Sequence, residues 1–147
     1  NNTTDHNYRK GLDIHDGNNI LIENNTLNGD RLYGVAVYNR QFTMDNVIIK
    51  NNVVTQDPSF RLDKNDNPIY TYHGYAGIHL QTNTQPEYKH FKSGESGYFE
   101  ISDNTITGID LYKNEHHTYG IEFRNHEPDM LYNLNITGNH IEGKETK

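Results

Sequence analysis

Gly11-Leu12-Asp13-Ile14-His15-Asp16 is a pattern this chain of 147 residues repeats three more times. It returns as Gly34-Val35-Ala36-Val37-Tyr38-Asn39, Gly77-Ile78-His79-Leu80-Gln81-Thr82 and Gly120-Ile121-Glu122-Phe123-Arg124-Asn125. Each copy reads glycine, apolar, variable, apolar, variable, polar. A second pattern follows each one: Ile20-Leu21-Ile22-Glu23-Asn24-Asn25-Thr26-Leu27, Val47-Ile48-Ile49-Lys50-Asn51-Asn52-Val53-Val54, Phe99-Glu100-Ile101-Ser102-Asp103-Asn104-Thr105-Ile106 and Leu134-Asn135-Ile136-Thr137-Gly138-Asn139-His140-Ile141. Strict apolar alternation over short segments predicts strands. A repeated unit of alternating strands predicts a coiled solenoid.

The leading glycines stand at 11, 34, 77 and 120, so the intervals are 23, 43 and 43 residues. A coil of three short strands with tight turns needs about 20 to 25 residues at about 3.3 Å per strand residue. The longer intervals therefore carry insertions. Turn-forming residues place these at 56–74, 82–97 and 109–118, with shorter ones at 40–46 and 126–131. An antiparallel sandwich would make Asn18-Asn19 and Asn24-Asn25 hairpin turns. It gives no reason for Asn25, Asn52, Asn104 and Asn139 to recur at one place in each unit. In a parallel coil those amides stack and bond rung to rung. The expected fold is all-β, a right-handed parallel β-helix of about four coils with loop insertions. Residues 1–147 form one segment of it, read as a fragment of a longer chain.

Composition fits that fold. Only 32% of residues are hydrophobic, which suits a thin interior lining. The net charge of −7 argues against a nucleic-acid backbone as partner, because that needs a basic patch. Cysteine is absent, which removes disulfides and thiolate metal sites. No apolar run approaches the length of a membrane span.

The two repeats together, asparagine-terminated Ile20 to Leu27 and Tyr33-Gly34-Val35-Ala36-Val37, resemble the right-handed parallel β-helix repeat of the pectin-lyase-like superfamily. That superfamily includes polysaccharide lyases, glycosidases, uronate epimerases and bacteriophage tail spikes. The resemblance is closest to the tail-spike or appendage type. It implies polysaccharide as the partner, a homotrimer, and a place in the virion tail or outside the cell. If the chain carries out a reaction, the resemblance implies a polysaccharide lyase or glycosidase. Fold alone does not assign function.

Strand alternation selects the candidate residues. The first and third residues after each glycine point inward: Leu12 and Ile14, Val35 and Val37, Ile78 and Leu80, Ile121 and Phe123. The outward columns are then Asp13, Ala36, His79, Glu122 and His15, Tyr38, Gln81, Arg124. Asp13, His15, Tyr38, Gln81, Glu122 and Arg124 are the expected polysaccharide-binding residues, through ring stacking and bonds to hydroxyls or a uronate carboxylate. The other reading is a plain solvated surface on a structural spacer that binds no ligand and only projects other domains. Asp13 and Glu122 stand three rungs apart, roughly 14 Å at strand spacing. That exceeds the separation of a glycosidase carboxyl pair, about 5 to 9.5 Å. A lyase or epimerase would use His79 as base with Tyr38 and Arg124 beside it. The Asp-Pro-His-Glu run of mannuronan epimerases is missing; Asp13-Ile14-His15-Asp16 and His126-Glu127-Pro128-Asp129 depart from it.

Other motifs weigh less. Neighbouring His116 and His117 point apart on an extended chain, and Asp57, Asp63, Asn65 and Asp66 lack calcium-loop spacing. No cofactor and no metal are expected. Asn2, Asn24 and Asn135 open glycosylation sequons of the kind an Asn-rich chain produces by chance. On the second repeat, Leu21, Ile48, Glu100 and Asn135 face outward, followed by Thr26, Val53, Thr105 and His140. The apolar members Leu21, Ile48 and Val53 predict either cover by a loop or the segment before Arg9, or a subunit contact.

Overall fold

The computed structural model describes residues 1–39, 44–65, 67, 69, 75–82, 96–110, 118–125 and 131–144. After β1 (Thr3–Asp5), the chain winds through four three-stranded coils. The first is β2 (Lys10–His15), β3 (Gly17–Glu23) and β4 (Thr26–Asn28). The second is β5 (Tyr33–Tyr38), β6 (Met44–Lys50) and β7 (Val53–Thr55). The third is β8 (Tyr75–Thr82), β9 (Ser96–Ser102) and β10 (Thr105–Asp110). The fourth is β11 (Thr118–Asn125), β12 (Leu131–Thr137) and β13 (His140–Lys144). Equivalent strands stack as sheet 1 (β2, β5, β8, β11), sheet 2 (β3, β6, β9, β12) and sheet 3 (β1, β4, β7, β10, β13). All the strand pairings are parallel. The described residues include no α-helix, only a 3-10 turn at Pro58–Arg61.

Three inward faces close one narrow core, which includes Val35, Val37, Ile49, Val54, Ile78, Leu80, Phe99, Ile101 and Ile106. The repeated glycine follows from that narrowness. A Cβ on Gly34 would lie 2.5 Å from Val54 Cγ1 and 2.8 Å from the Gly77 carbonyl oxygen. Gly77 meets Ile106 and Gly120 meets Ile141 in the same way. The glycine column is thus where sheet 3 side chains cross over sheet 1 backbone.

The asparagine stack forms, and it is longer than the repeat predicted. Asn2, Asn25, Asn52, Asn104 and Asn139 form a ladder in which the backbone N–H and Nδ2 of each both donate to Oδ1 of the next, at 2.9–3.1 Å. Asn52 Nδ2 also reaches the Ile22 and Lys50 carbonyls, and Asn104 Nδ2 the Ile49 carbonyl. Each later ladder residue follows one in the left-handed region: Asn24 (φ 57°), Asn51 (53°), Asp103 (53°) and Gly138 (66°). Asn, Asp and Gly visit that region at the lowest cost. The pair therefore works as a corner, one residue turning the chain and the next sealing the turn's polar groups.

Asn24-Asn25 is thus the corner between sheets 2 and 3, and no hairpin forms there. Asn18-Asn19 lies within β3, where Asn19 has φ 58° and accepts from Asn46 Nδ2 at 2.8 Å. The segment before Arg9 covers neither Leu21 in sheet 2 nor Val53 in sheet 3. It forms β1, which pairs with β4 and extends sheet 3. Leu21 remains 54% exposed and Val53 44%.

Candidate functional site

Sheet 1 pairs the expected columns in register. Asp13 aligns with Ala36, Ala36 with His79, and His79 with Glu122. His15 aligns with Tyr38, Tyr38 with Gln81, and Gln81 with Arg124. Each step is one rung of about 4.8 Å, so the eight side chains form a strip two residues wide.

At the first rung, Asp13 Oδ1 lies 3.0 Å from His15 Nε2. Lys10 Nζ donates to both Asp13 carboxylate oxygens at 2.9 Å and sits 4.3 Å from the centre of the Tyr38 ring. The His15 ring packs 4.5 Å from Tyr38. At the far end, His79 Nδ1–H donates to Glu122 Oε2 at 2.6 Å. Arg124 Nε donates to the other carboxylate oxygen, also at 2.6 Å. His79 Nε2 meets Gln81 Oε1 at 3.0 Å. Tyr33 lies flat on the His79 ring, with centres 4.4 Å apart and planes 8° from parallel, and Tyr38 meets it edge-on at 6.0 Å.

This geometry sets the electrostatics. Burial pushes the Glu122 carboxyl up. The His79 hydrogen bond and charge, with Arg124, more than offset that and hold it below the ordinary carboxylate value. Burial, helped by the Glu122 charge, pushes the Tyr33 phenol up to about 12. Glu122 is therefore a carboxylate at neutral pH, and Tyr33 an un-ionised phenol.

Solvent access differs from what alternation predicts. The middle of the strip faces outward by register but is closed: Ala36 is 0% exposed, His79 2%, Tyr38 6% and Glu122 7%. A second apolar cluster of Leu32, Tyr33, Ala36, Tyr38, Tyr75 and Ala76 occupies this side of the sheet. Arg61, carried by the 3-10 turn, lies over the Tyr75 ring at 4.4 Å and donates to Gln56 Oε1. Alternation tells which side of a sheet a residue is on. It does not tell what packs against that side. In this arrangement Tyr38, His79 and Glu122 support the strip from within, whereas Asp13, His15, Gln81 and Arg124 keep solvent-facing surface. Gln81 Oε1 is an acceptor, so in this arrangement Nε2 is a donor; for His79 to act as a base, Nε2 would have to present a lone pair and Gln81 would have to turn or move away.

Lys10, Tyr33 and Arg61 were not selected from the sequence. Lys10 and Tyr33 share one column just before the glycines, and large polar and aromatic residues there were the available signal. Among the loop residues, Asp57 caps the 3-10 turn through Ser59 N and also meets His6 Nε2 at 3.2 Å, whereas Asp63 Oδ1 accepts from the Asn65 and Asn67 backbone and serves its own loop. His116, His117 and Asp66 lie outside the described residues; of the insertions expected at 82–97 and 109–118, Thr82, Ser96, Gly97, Ile109, Asp110 and Thr118 are strand, and the rest lie outside the described residues.

A register-locked strip on a three-sheet parallel coil defines the class: a right-handed parallel β-helix, a fold consistent with proteins that bind or degrade polysaccharides. The chain belongs to the family described as right handed beta helix region, whose model matches residues 1–85. Comparison with curated proteins found no match, and comparison with solved structures found none either.

Proposed function

We propose that this chain recognises a polysaccharide along sheet 1, as the β-helix of a tail spike or similar appendage that reads a host surface glycan. The observation that carries the reading is the pre-ordered network of the strip. Glu122 fixes both His79 and Arg124, His79 meets Gln81, and Lys10 fixes Asp13 beside His15. Polar groups held before the ligand arrives lose little freedom on binding. Asp13, His15, Gln81 and Arg124 are the contact residues, and they offer both acceptors and donors to sugar hydroxyls. Tyr38, His79 and Glu122 position them. In the same proposal the copies associate as a homotrimer outside the cell or on a virion, with Leu21, Ile48 and Val53 at the contact.

The second reading is a secreted polysaccharide lyase or uronate epimerase, favoured by the His79–Glu122 pair at 2.6 Å. A carboxylate-oriented imidazole beside an arginine is a usable general base. One experiment separates recognition from the lyase. The protein is incubated with neutral and acidic polysaccharides while binding and the ultraviolet absorbance of unsaturated uronates are followed together. Recognition predicts saturable binding with no absorbance change. Absorbance that grows with time and disappears in His79→Ala would replace it with the lyase.

A further inference from the structure

We propose that the corner between β1 and β2 carries a second saccharide subsite, a pyranose-stacking platform built on Tyr8. It takes its ligand class from the polysaccharide reading but uses none of the strip's residues.

Tyr8 is 75% exposed, yet it is not loosely held. The Arg31 guanidinium lies 4.8 Å from its ring centre and 4.3 Å from that of Phe60, and the two rings pack on each other, tilted, with centres 5.8 Å apart, so one cation covers a pair of touching rings. Arg31 Nε donates to the Phe60 carbonyl at 2.8 Å, and the Arg31 backbone N–H donates to the Asn7 carbonyl at 3.0 Å. Phe60 is presented by the 3-10 turn that Asp57 caps.

The rim is equally built. The His6 ring meets Phe60 edge-on at 5.2 Å. Its Nδ1 lies 2.8 Å from Asp5 and its Nε2 3.2 Å from Asp57. It rests over Gly29, where a Cβ would come within 2.5 Å of Nε2 and where φ is +63°. Residues from three successive turns thus fix one imidazole between two carboxylates.

Pinning the 3-10 turn needs Arg31 and Phe60. It gains little from a tyrosine that leaves three-quarters of its surface in water. A rigid aromatic beside fixed acceptors suits a pyranose ring. The sugar's C–H face lies on the phenyl ring, and its hydroxyls donate to the rim carboxylates, which only accept. A cation is the weaker candidate, because Arg31 and protonated His6 already balance Asp5 and Asp57. Tyr8 precedes Lys10 by two residues, a reach of about 7 Å at most. The platform and the first rung of the strip therefore flank the same corner.

The test uses side-chain NMR of the whole chain titrated with methyl gluco-, galacto- and mannopyranosides and with neutral and acidic oligosaccharides. Tyr8 reports on the platform and His15 on the strip. The expected result is saturable shifts of the Tyr8 ring. Affinity at this site should fall by about tenfold in Tyr8→Ala and stay within about twofold in Tyr8→Phe. Unchanged melting of both variants shows that the fold is kept. If His15 shifts and Tyr8 does not, the platform is overturned and the strip stands. If Tyr8 shifts and His15 does not, the platform stands and the strip reading fails. If neither ring shifts with any saccharide, both fail. A Tyr8 response to tetramethylammonium alone would make this a cation site and overturn the proposal.

Discussion

Glu122 holds two partners with two oxygens, and its replacement shows what the strip depends on. In Glu122→Gln, Arg124 loses its counter-charge and an amide group takes the place of one carboxylate oxygen. The Arg124 side chain is 42% exposed, but the Glu122–His79 contact is buried, and weakening it costs about 3 kcal/mol, which chemical denaturation will read directly. Its folded-state acidity also sets a pH dependence. Because folded Glu122 sits below its ordinary value of 4.5, the unfolded chain takes up the proton first as pH falls. The stabilisation is complete above about pH 5.5 and is lost as pH falls through the folded value. The acid limb of the stability curve should therefore be shallower in Glu122→Gln. His6 behaves in the opposite sense. Its bonds to Asp5 and then Asp57 raise it above 6.5, so its contribution is complete below that value and is lost as pH rises through the folded one. NMR should place the His6 midpoint above 6.5, and Asp57→Asn should lower it. A midpoint at or below 6.5 in the parent would contradict the carboxylate–imidazole–carboxylate arrangement. At this scale the period of two made the columns legible, since every inward position is apolar. Enclosure of His79 was not legible, because it depends on Tyr33 and the second apolar cluster and not on strand phase.

The corners and the crossovers are where single elements are most sensitive. Asn52→Ala removes the acceptor of the Asn25 N–H and Nδ2 and a donor to the Ile22 carbonyl, all buried, and one donor to the Lys50 carbonyl, which keeps the Asn24 N–H. The expected cost is about 3 kcal/mol or more. The preceding residue should respond quite differently. Asn51, at φ 53°, turns the chain with its backbone. Asn51→Gly should stay within about 1 kcal/mol of the parent, whereas Asn51→Val should lose about 1–2 kcal/mol. Gly34→Ala should cost about 1–3 kcal/mol through overpacking. Val54→Ala should relieve only part of that, because the Gly77 carbonyl stays in the way. Equilibrium unfolding of the five variants checks this order. Asn25, Asn52, Asn104 and Asn139 were readable because each ends an alternating run. Asn2 was not, because no such run precedes it. The glycine was visible as a repeat, but its cause is Val54 or Ile106 crossing the core, a contact between distant residues.

Across the whole molecule, a thin core and a net charge of −7 leave recognition and assembly to the outer faces. The parallel coil was legible because four copies of two patterns agree in register, and the insertions were legible only as intervals between them. The proposed trimer predicts a solution mass three times the 17.1 kDa of one chain. Introducing Leu21→Lys with Val53→Lys should return it to one, and sedimentation equilibrium reads both. The central claim is that sheet 1 binds glycan through its exposed ends. The most direct test is calorimetric titration of the best-bound polysaccharide from the binding screen into the parent and into the Asp13→Ala, His15→Ala double variant. The account predicts a loss of at least about tenfold in affinity, with the melting temperature little changed. Equal affinity in the two proteins would contradict it.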